Sequence, residues 1–194
     1  MKLFSAQNIT YSINENKLFH NLSFDVNSGE GLHIKGGNGS GKSTLLRIIL
    51  GITSPSKGLI QSFDQDLKIS YLGHKNAIKN YLTPIENLKL LFSGDDLNIA
   101  FEWLNKFGLS HVQDELTASL SFGQQKKLAL IRVLAQSSDL LILDEPFVGL
   151  DQATADQLNS FLAQKISQNA GLILTSHITP MIDCAVLDLG AKNA

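Results

Sequence analysis

Eight residues, Gly36-Gly-Asn-Gly-Ser-Gly-Lys-Ser43, have the types and spacing to hold a polyphosphate. They fit G-x-x-x-x-G-K-[ST] without a mismatch, between an expected strand and an apolar-periodic helix. Gly36, Gly37, Gly39 and Gly41, with Asn38 and Ser40 among them, let the backbone curl. Successive N–H groups then point at phosphate oxygens, and the helix N-terminus adds a favourable dipole. Lys42 is the cation for the β- and γ-phosphates; at about 4 Å such a pair is worth roughly 4 kcal/mol at a near-surface dielectric. Ser43 offers a hydroxyl to Mg²⁺, and Thr44 follows it in the same turn. A chance glycine-rich turn would explain neither the pattern nor its place.

A second group closes a run of apolar residues, Leu140-Leu-Ile-Leu-Asp144-Glu145-Pro146. Ligands of open parallel sheets sit beyond the carboxyl ends of the strands. Both acids would therefore face the phosphate loop. Asp144 suits Mg²⁺, and Glu145 suits the general base or positioner of an attacking water, a role typically worth about 10²–10⁴-fold in rate. The plainer reading, a polar strand end that caps the next turn, loses weight beside the phosphate loop.

The elements that must place these groups alternate between strand and helix. "LFSAQNIT" and "LSFDV" are β-rich, and "GLHIKGG" is a strand running into glycines. A helix runs from Lys42 to about Leu50, "TSPSKG" closes it, and "LIQSF" and "KISYL" return to strand. Thr83-Pro-Ile-Glu86 reads as a capping box with proline at the first helical position. Further helices are expected over about Leu97 to Phe107 and from Ser121, where Ser121-Phe-Gly-Gln124 is another capping box. "LLILDEP" and "GLILTSH" are buried strands, and "AVLDL" is the last. The pattern argues an α/β core with a parallel sheet, interrupted by a helix-only stretch. We expect one domain over 1–194, with a core lobe of about 1–82 and 137–194 and a helical lobe of about 83–136.

Composition narrows the class. Hydrophobic residues make up 43% and the formal charge is −2; the isoelectric point is about 6.2 and mean hydropathy +0.04. This is an ordinary globular balance, with no basic field for a nucleic-acid backbone. The single cysteine, Cys184, cannot form an internal disulfide and fits a reducing compartment. The N-terminus does not read as a signal peptide, and no apolar run approaches a membrane span.

Between the two motifs lies "SLSFGQQKKLALIRVLA", Ser119 to Ala135. About twenty residues before the acids, it resembles the L-S-G-G-Q signature of ATP-binding-cassette (ABC) ATPases. Val148-Gly-Leu-Asp151 resembles that family's D-loop, and His177, after a buried strand, its switch histidine. The resemblance covers nearly the whole chain. It implies a P-loop NTPase, ABC-type α/β cassette with a mostly parallel core sheet, an antiparallel β subdomain and an inserted helical subdomain. It also implies ATP and Mg²⁺ as cofactors, and a head-to-tail homodimer in which Ser121, Gly123 and Gln124 serve the nucleotide of the other chain. His177 would contact the γ-phosphate and help hold Glu145 and the water, and Asp151 would lie at the dimer seam. Two positions depart from the pattern. Phe122 replaces the first signature glycine, so its ring must point away from the nucleotide or contact the partner. The adenine-stacking aromatic is either Tyr11 or absent, since counting along the first strand puts Ile13 in its place.

In "YLGHKNAIKNYLTPIENL", Tyr71 to Leu88, His74 falls where the family carries a glutamine that reaches Mg²⁺ and the water. A neutral imidazole can ligate a metal, but His74 can equally be a hinge residue without contact. The pattern "GH…IK..LT..ENL" resembles, more narrowly, the ATP-binding subunits of the cytochrome c biogenesis haem exporter. These are likewise short, bare cassettes, and only 17 residues follow His177. That likeness implies a peripheral protein on the cytoplasmic face of the bacterial inner membrane, partnered by integral membrane subunits and a haem chaperone system. It implies ATP hydrolysis tied to release of the haem-loaded chaperone, while the charge balance argues for no nucleic-acid partner. A cassette for another small substrate, a soluble ABC protein without a transporter, and a module that closes without hydrolysing are the alternatives. Intact Glu145 and His177 argue against the last.

Overall fold

The computed structural model describes residues 1–13, 16–64 and 66–190. Two sheets organise it. β1 (Lys2–Ile13), β2 (Asn16–Asn27) and β4 (Lys57–Ser62) form an antiparallel sheet in the order β2-β1-β4. β3 (Gly31–Lys35), β5 (Ile69–Leu72), β6 (Leu140–Asp144), β7 (Gly171–Thr175) and β8 (Ala185–Asp188) form the other, in the order β5-β6-β7-β3-β8. Every neighbour pair in this second sheet is parallel. The helices are α1 (Lys42–Ile49), α2 (Pro84–Lys89), α3 (Gly94–Lys106), α4 (Phe122–Leu134) and α5 (Gln152–Ser167). The third of these starts three residues earlier than the apolar pattern suggested, because Ser93 begins the turn and Asp95 and Asp96 sit favourably in it.

The core divides by strand periodicity. Leu140 and Ile142 of β6 and Ile173 of β7 turn to one face, where they pack with Leu45, Leu46, Ile48 and Ile49 of α1 and with Phe4 and Ile9 of β1. Leu141 and Leu143, with Leu172 and Leu174, turn to the other and meet Leu88, Trp103, Leu128, Leu130, Ile131 and Leu158 from the helices. Alternate residues of a strand face opposite ways, so an uninterrupted apolar run is what a sheet covered on both faces requires. The result is three layers, with the parallel sheet in the middle and the ends of β3, β6 and β7 opening side by side.

The helices of the 83–136 stretch are fixed at their starts and through the buried Asn87. Thr83 with Glu86, and Ser121 with Gln124, both close reciprocal capping boxes. The Asn87 amide donates to the carbonyls of Lys79, Thr83 and Leu82 and to Thr117 Oγ1, while its Oδ1 accepts from the Lys79 N–H at 2.7 Å. From α4, Arg132 donates to the carbonyls of Asn76 and Ala77 at 3.0 and 2.7 Å. The loop between β5 and α2, which carries His74, is therefore tied down from two helices.

Candidate active site

A cavity of about 550 Å³ opens where β3 and β6 end, within the range of small-molecule sites. Its wall contains Asn38, Gly39, Ser40, Gly41, Lys42, Ser43, Thr44, His74, Asp144, Glu145 and His177. Residues separated by more than a hundred positions are thus brought to one place. Gly36 and Gly37 lie off the wall, but their carbonyls accept from Lys42 Nζ at 2.8 and 3.3 Å. Gly41, at φ 97°, is the left-handed residue that turns the loop into α1; a Cβ there would stand 3.1 Å from the Phe19 ring. Only glycine adopts that conformation without steric cost.

The acids are set by the neighbouring strand. Asp144 pairs in register with Thr175, whose Oγ1–H donates to Asp144 Oδ1 at 2.7 Å. The same Oγ1 accepts from the Glu145 N–H at 2.9 Å. Glu145 has φ 47°, a left-handed conformation disfavoured by roughly 1–2 kcal/mol for a residue with a Cβ. Thr175 holds it there. The Glu145 carboxylate spans two partners: Oε1 lies 3.7 Å from Lys42 Nζ and 3.3 Å from His177 Nε2, and Oε2 accepts from the His177 N–H at 3.3 Å. Ser40 Oγ, Asp144 Oδ2 and Glu145 Oε1 are buried without a hydrogen-bond partner. Buried polar atoms are ordinarily satisfied, so three orphans in one cavity wall mark the place of a polar ligand.

Ser121, Gly123 and Gln124 lie outside this cavity. Ser121 Oγ accepts from the Gln124 N–H at 3.2 Å, closing the helix start. Phe122 itself is 61% exposed. Its ring lines the cavity of its own chain and lies so close to Gly149 that a Cβ there would come within 2.5 Å. The N-terminal turn of α4 is packed on the turn at Gly149. Asp151 caps α5 through the Thr154 N–H and pairs with Lys127 at 2.6 Å. The Lys127 ammonium, with the Thr154 donors, holds the Asp151 carboxyl well below the usual carboxylate range.

The Tyr11 ring packs on Phe19 with centroids 6.2 Å apart, and Ile13 lines the cavity with Leu18 and Val148. Sequence reasoning missed Thr175, Leu18, Asn76 and Lys126. Thr175 carried a signal, a hydroxyl ending the apolar run "GLILT". Lys126 carried another, a lysine on the helical stripe shared with Ala129, Leu130 and Val133.

Comparison with known proteins agrees with this geometry. The model of the ABC transporter family matches residues 19–148. The cytochrome c biogenesis ATP-binding export protein CcmA of Idiomarina loihiensis is 38% identical, over 82% of this chain and 78% of that one. The CcmA of Escherichia coli K12 is 36% identical, over 91% and 90%. Among solved structures, an ATP-binding subunit of an ABC transporter superposes with a TM-score of 0.80 at 25% identity, covering 91% and 80%. The ATP-binding cassette MJ0796, in a dimeric post-hydrolysis state bound to ADP and Pi, gives 0.77 at 25%, covering 91% and 88%. The layered fold, the phosphate loop facing two acids, and these relatives lead to one conclusion: the chain belongs to the ABC transporter family, as an ATP-hydrolysing cassette of the CcmA group.

Proposed function

We propose that the chain is the ATPase of a haem-exporting ABC transporter in cytochrome c maturation, working as a head-to-tail homodimer. It would sit on integral membrane subunits at the cytoplasmic face of the bacterial inner membrane, and its turnover would release a haem-loaded chaperone. The observation that carries the hydrolytic part is Glu145, suspended between Lys42 and His177 with Oε1 unbonded. A carboxylate so placed can accept a proton from an attacking water, while His177 orients it and Lys42 screens the phosphate charge. The system itself is supported by the likeness to CcmA over about nine-tenths of both chains.

The donor set fits Mg²⁺. Ser43, Asp144 and His74 share the cavity wall, and Asp144 Oδ2 lacks a partner. Among the described residues no group of three histidine, cysteine, aspartate or glutamate side chains could form a metal site. That suits Mg²⁺, which keeps waters and phosphate oxygens as most of its ligands. When bound, the ion would supply charge neutralisation at the phosphates. Ser121, Gly123 and Gln124 lie outside their own chain's cavity, which supports their reading as contacts to the nucleotide of the partner. We read 83–136 as the helical lobe and the rest as the core lobe, since β5 and β6 flank a stretch that holds helices only among the described residues. No helix of the described residues is long and apolar enough to cross a membrane, so attachment would run through the membrane subunits.

Glu145→Gln tests the chemistry. It should lower turnover about 10²–10⁴-fold while ATP binding persists and a closed dimer accumulates in size-exclusion chromatography. Wild-type turnover in that variant would overturn the assignment. Co-purification from native membranes tests the system: cytochrome c assembly proteins and bound haem support it, and an unrelated permease refutes it.

A further inference from the structure

Lys42 is not the only ammonium in the cavity. Lys126, in the second turn of α4, is 4% exposed, and its side chain lines the same wall as Lys42, Asp144 and Glu145. Among the described residues no hydrogen bond or ion pair within 4.0 Å engages it. The Lys126 side chain is largely buried, so its ammonium gives up part of its bulk hydration and opens only on the cavity. Natural sequences leave such a group only where something else satisfies it.

The two nearby acids do not hold it directly. Asp144 Oδ2 and Glu145 Oε1 both lack hydrogen-bond partners, yet Lys126 bonds to neither. They act through their field: burial lowers the Lys126 pKa, and Asp144 and then Glu145 pull it back up. The packing of α4 fixes the direction in which the ammonium can find a partner. Ala129, Leu130 and Val133 on the same stripe are buried in the helical core, so the way out for a charged head is the cavity. A lysine would be an expensive choice for this stripe unless an anion came to meet it.

We propose that Lys126 is a ligand for the terminal phosphoryl group of the nucleotide bound to its own chain. The inference rests on the cavity being the ATP site. It gives the signature helix two duties: its capped N-terminus faces the partner's nucleotide, while Lys126 reaches into its own. ADP lacks the group that Lys126 meets, so the contact favours ATP alone and contributes a differential affinity between the two.

Calorimetric titration with a non-hydrolysable ATP analogue and with ADP, on wild type, Lys126→Met and Lys126→Arg, tests this. Lys126→Met should weaken the analogue about ten- to a hundred-fold, the range of a hydrogen bond to a charged group. ADP affinity should stay within about twofold, and Lys126→Arg should recover most of the loss. Methionine is unbranched and suits a buried stripe; if that variant nevertheless fails to fold, Lys126→Gln carries the same comparison. Unchanged analogue affinity, or equal loss for both nucleotides, would overturn the proposal while leaving the ATP site intact. A wild-type protein that binds neither nucleotide would overturn the site itself, and Lys126 with it.

Discussion

Thr175→Val isolates the one hydroxyl on which both acids depend. The change is nearly isosteric, so no cavity opens, and Thr175 is fully buried, so no water replaces the lost group. Two hydrogen bonds disappear, one to the Asp144 carboxylate and one from the Glu145 N–H. The bond to the charged acceptor is worth about 1.5–3 kcal/mol, and stranding the buried N–H costs about 1–3 kcal/mol. Together they predict a loss of roughly 2.5–6 kcal/mol. For a chain of 194 residues, each kcal/mol shifts Tm by about 2–4 °C, giving a fall of about 5–24 °C. Glu145 would also lose the contact that keeps it at positive φ, so ATPase activity should fall with stability. Thermal unfolding followed by circular dichroism, with turnover measured in parallel at a temperature where both proteins are folded, gives both readouts. Thr175→Ser should restore most of each. A Thr175→Val protein that melts within about 2 °C of wild type would show that the hydroxyl does not hold the acids.

Two further outcomes are expected. Asn87→Ala strands the Lys79 N–H and several carbonyls around a side chain that is 4% exposed, and should destabilise by about 2–4 kcal/mol in urea unfolding. Asp151→Asn keeps the cap on Thr154 but removes the charge opposite Lys127. The Asp151 pKa is depressed in the folded chain, so its contribution is full above the ordinary carboxylate pKa and fades as pH falls through that value toward the depressed one. Over half of the Asp151 side chain is exposed, so the wild-type advantage should be at most about 1 kcal/mol at pH 7. It should shrink below about pH 4, as read by Tm against pH.

The parallel sheet was legible because β6 and β7 are unbroken apolar runs, and the helix starts because both capping boxes are local. The phosphate loop was legible for the same reason, since its geometry is written in neighbouring residues. Thr175 was harder. Its importance comes from pairing with Asp144 across 31 positions, and no local pattern encodes which strands lie together. The direction of the Phe122 ring was left open by the sequence because it depends on the turn at Gly149, a tertiary contact. Counting along the first strand put Ile13 where the cavity wall has it, but the facing of Tyr11 depends on the register shifts of β1 between Ile9 and Tyr11 and again before Ser12.

α4 carries Lys126 in the cavity, Lys127 on Asp151 and Arg132 on the loop after His74. A helix of 13 residues is about 20 Å long and stiff, so these contacts cannot move one at a time. Energetically they form a single lever. Substitutions at Lys127 and Arg132, five residues apart on this helix, will therefore fail to add, and a double-mutant cycle between them measures the rigidity of the rod that joins them.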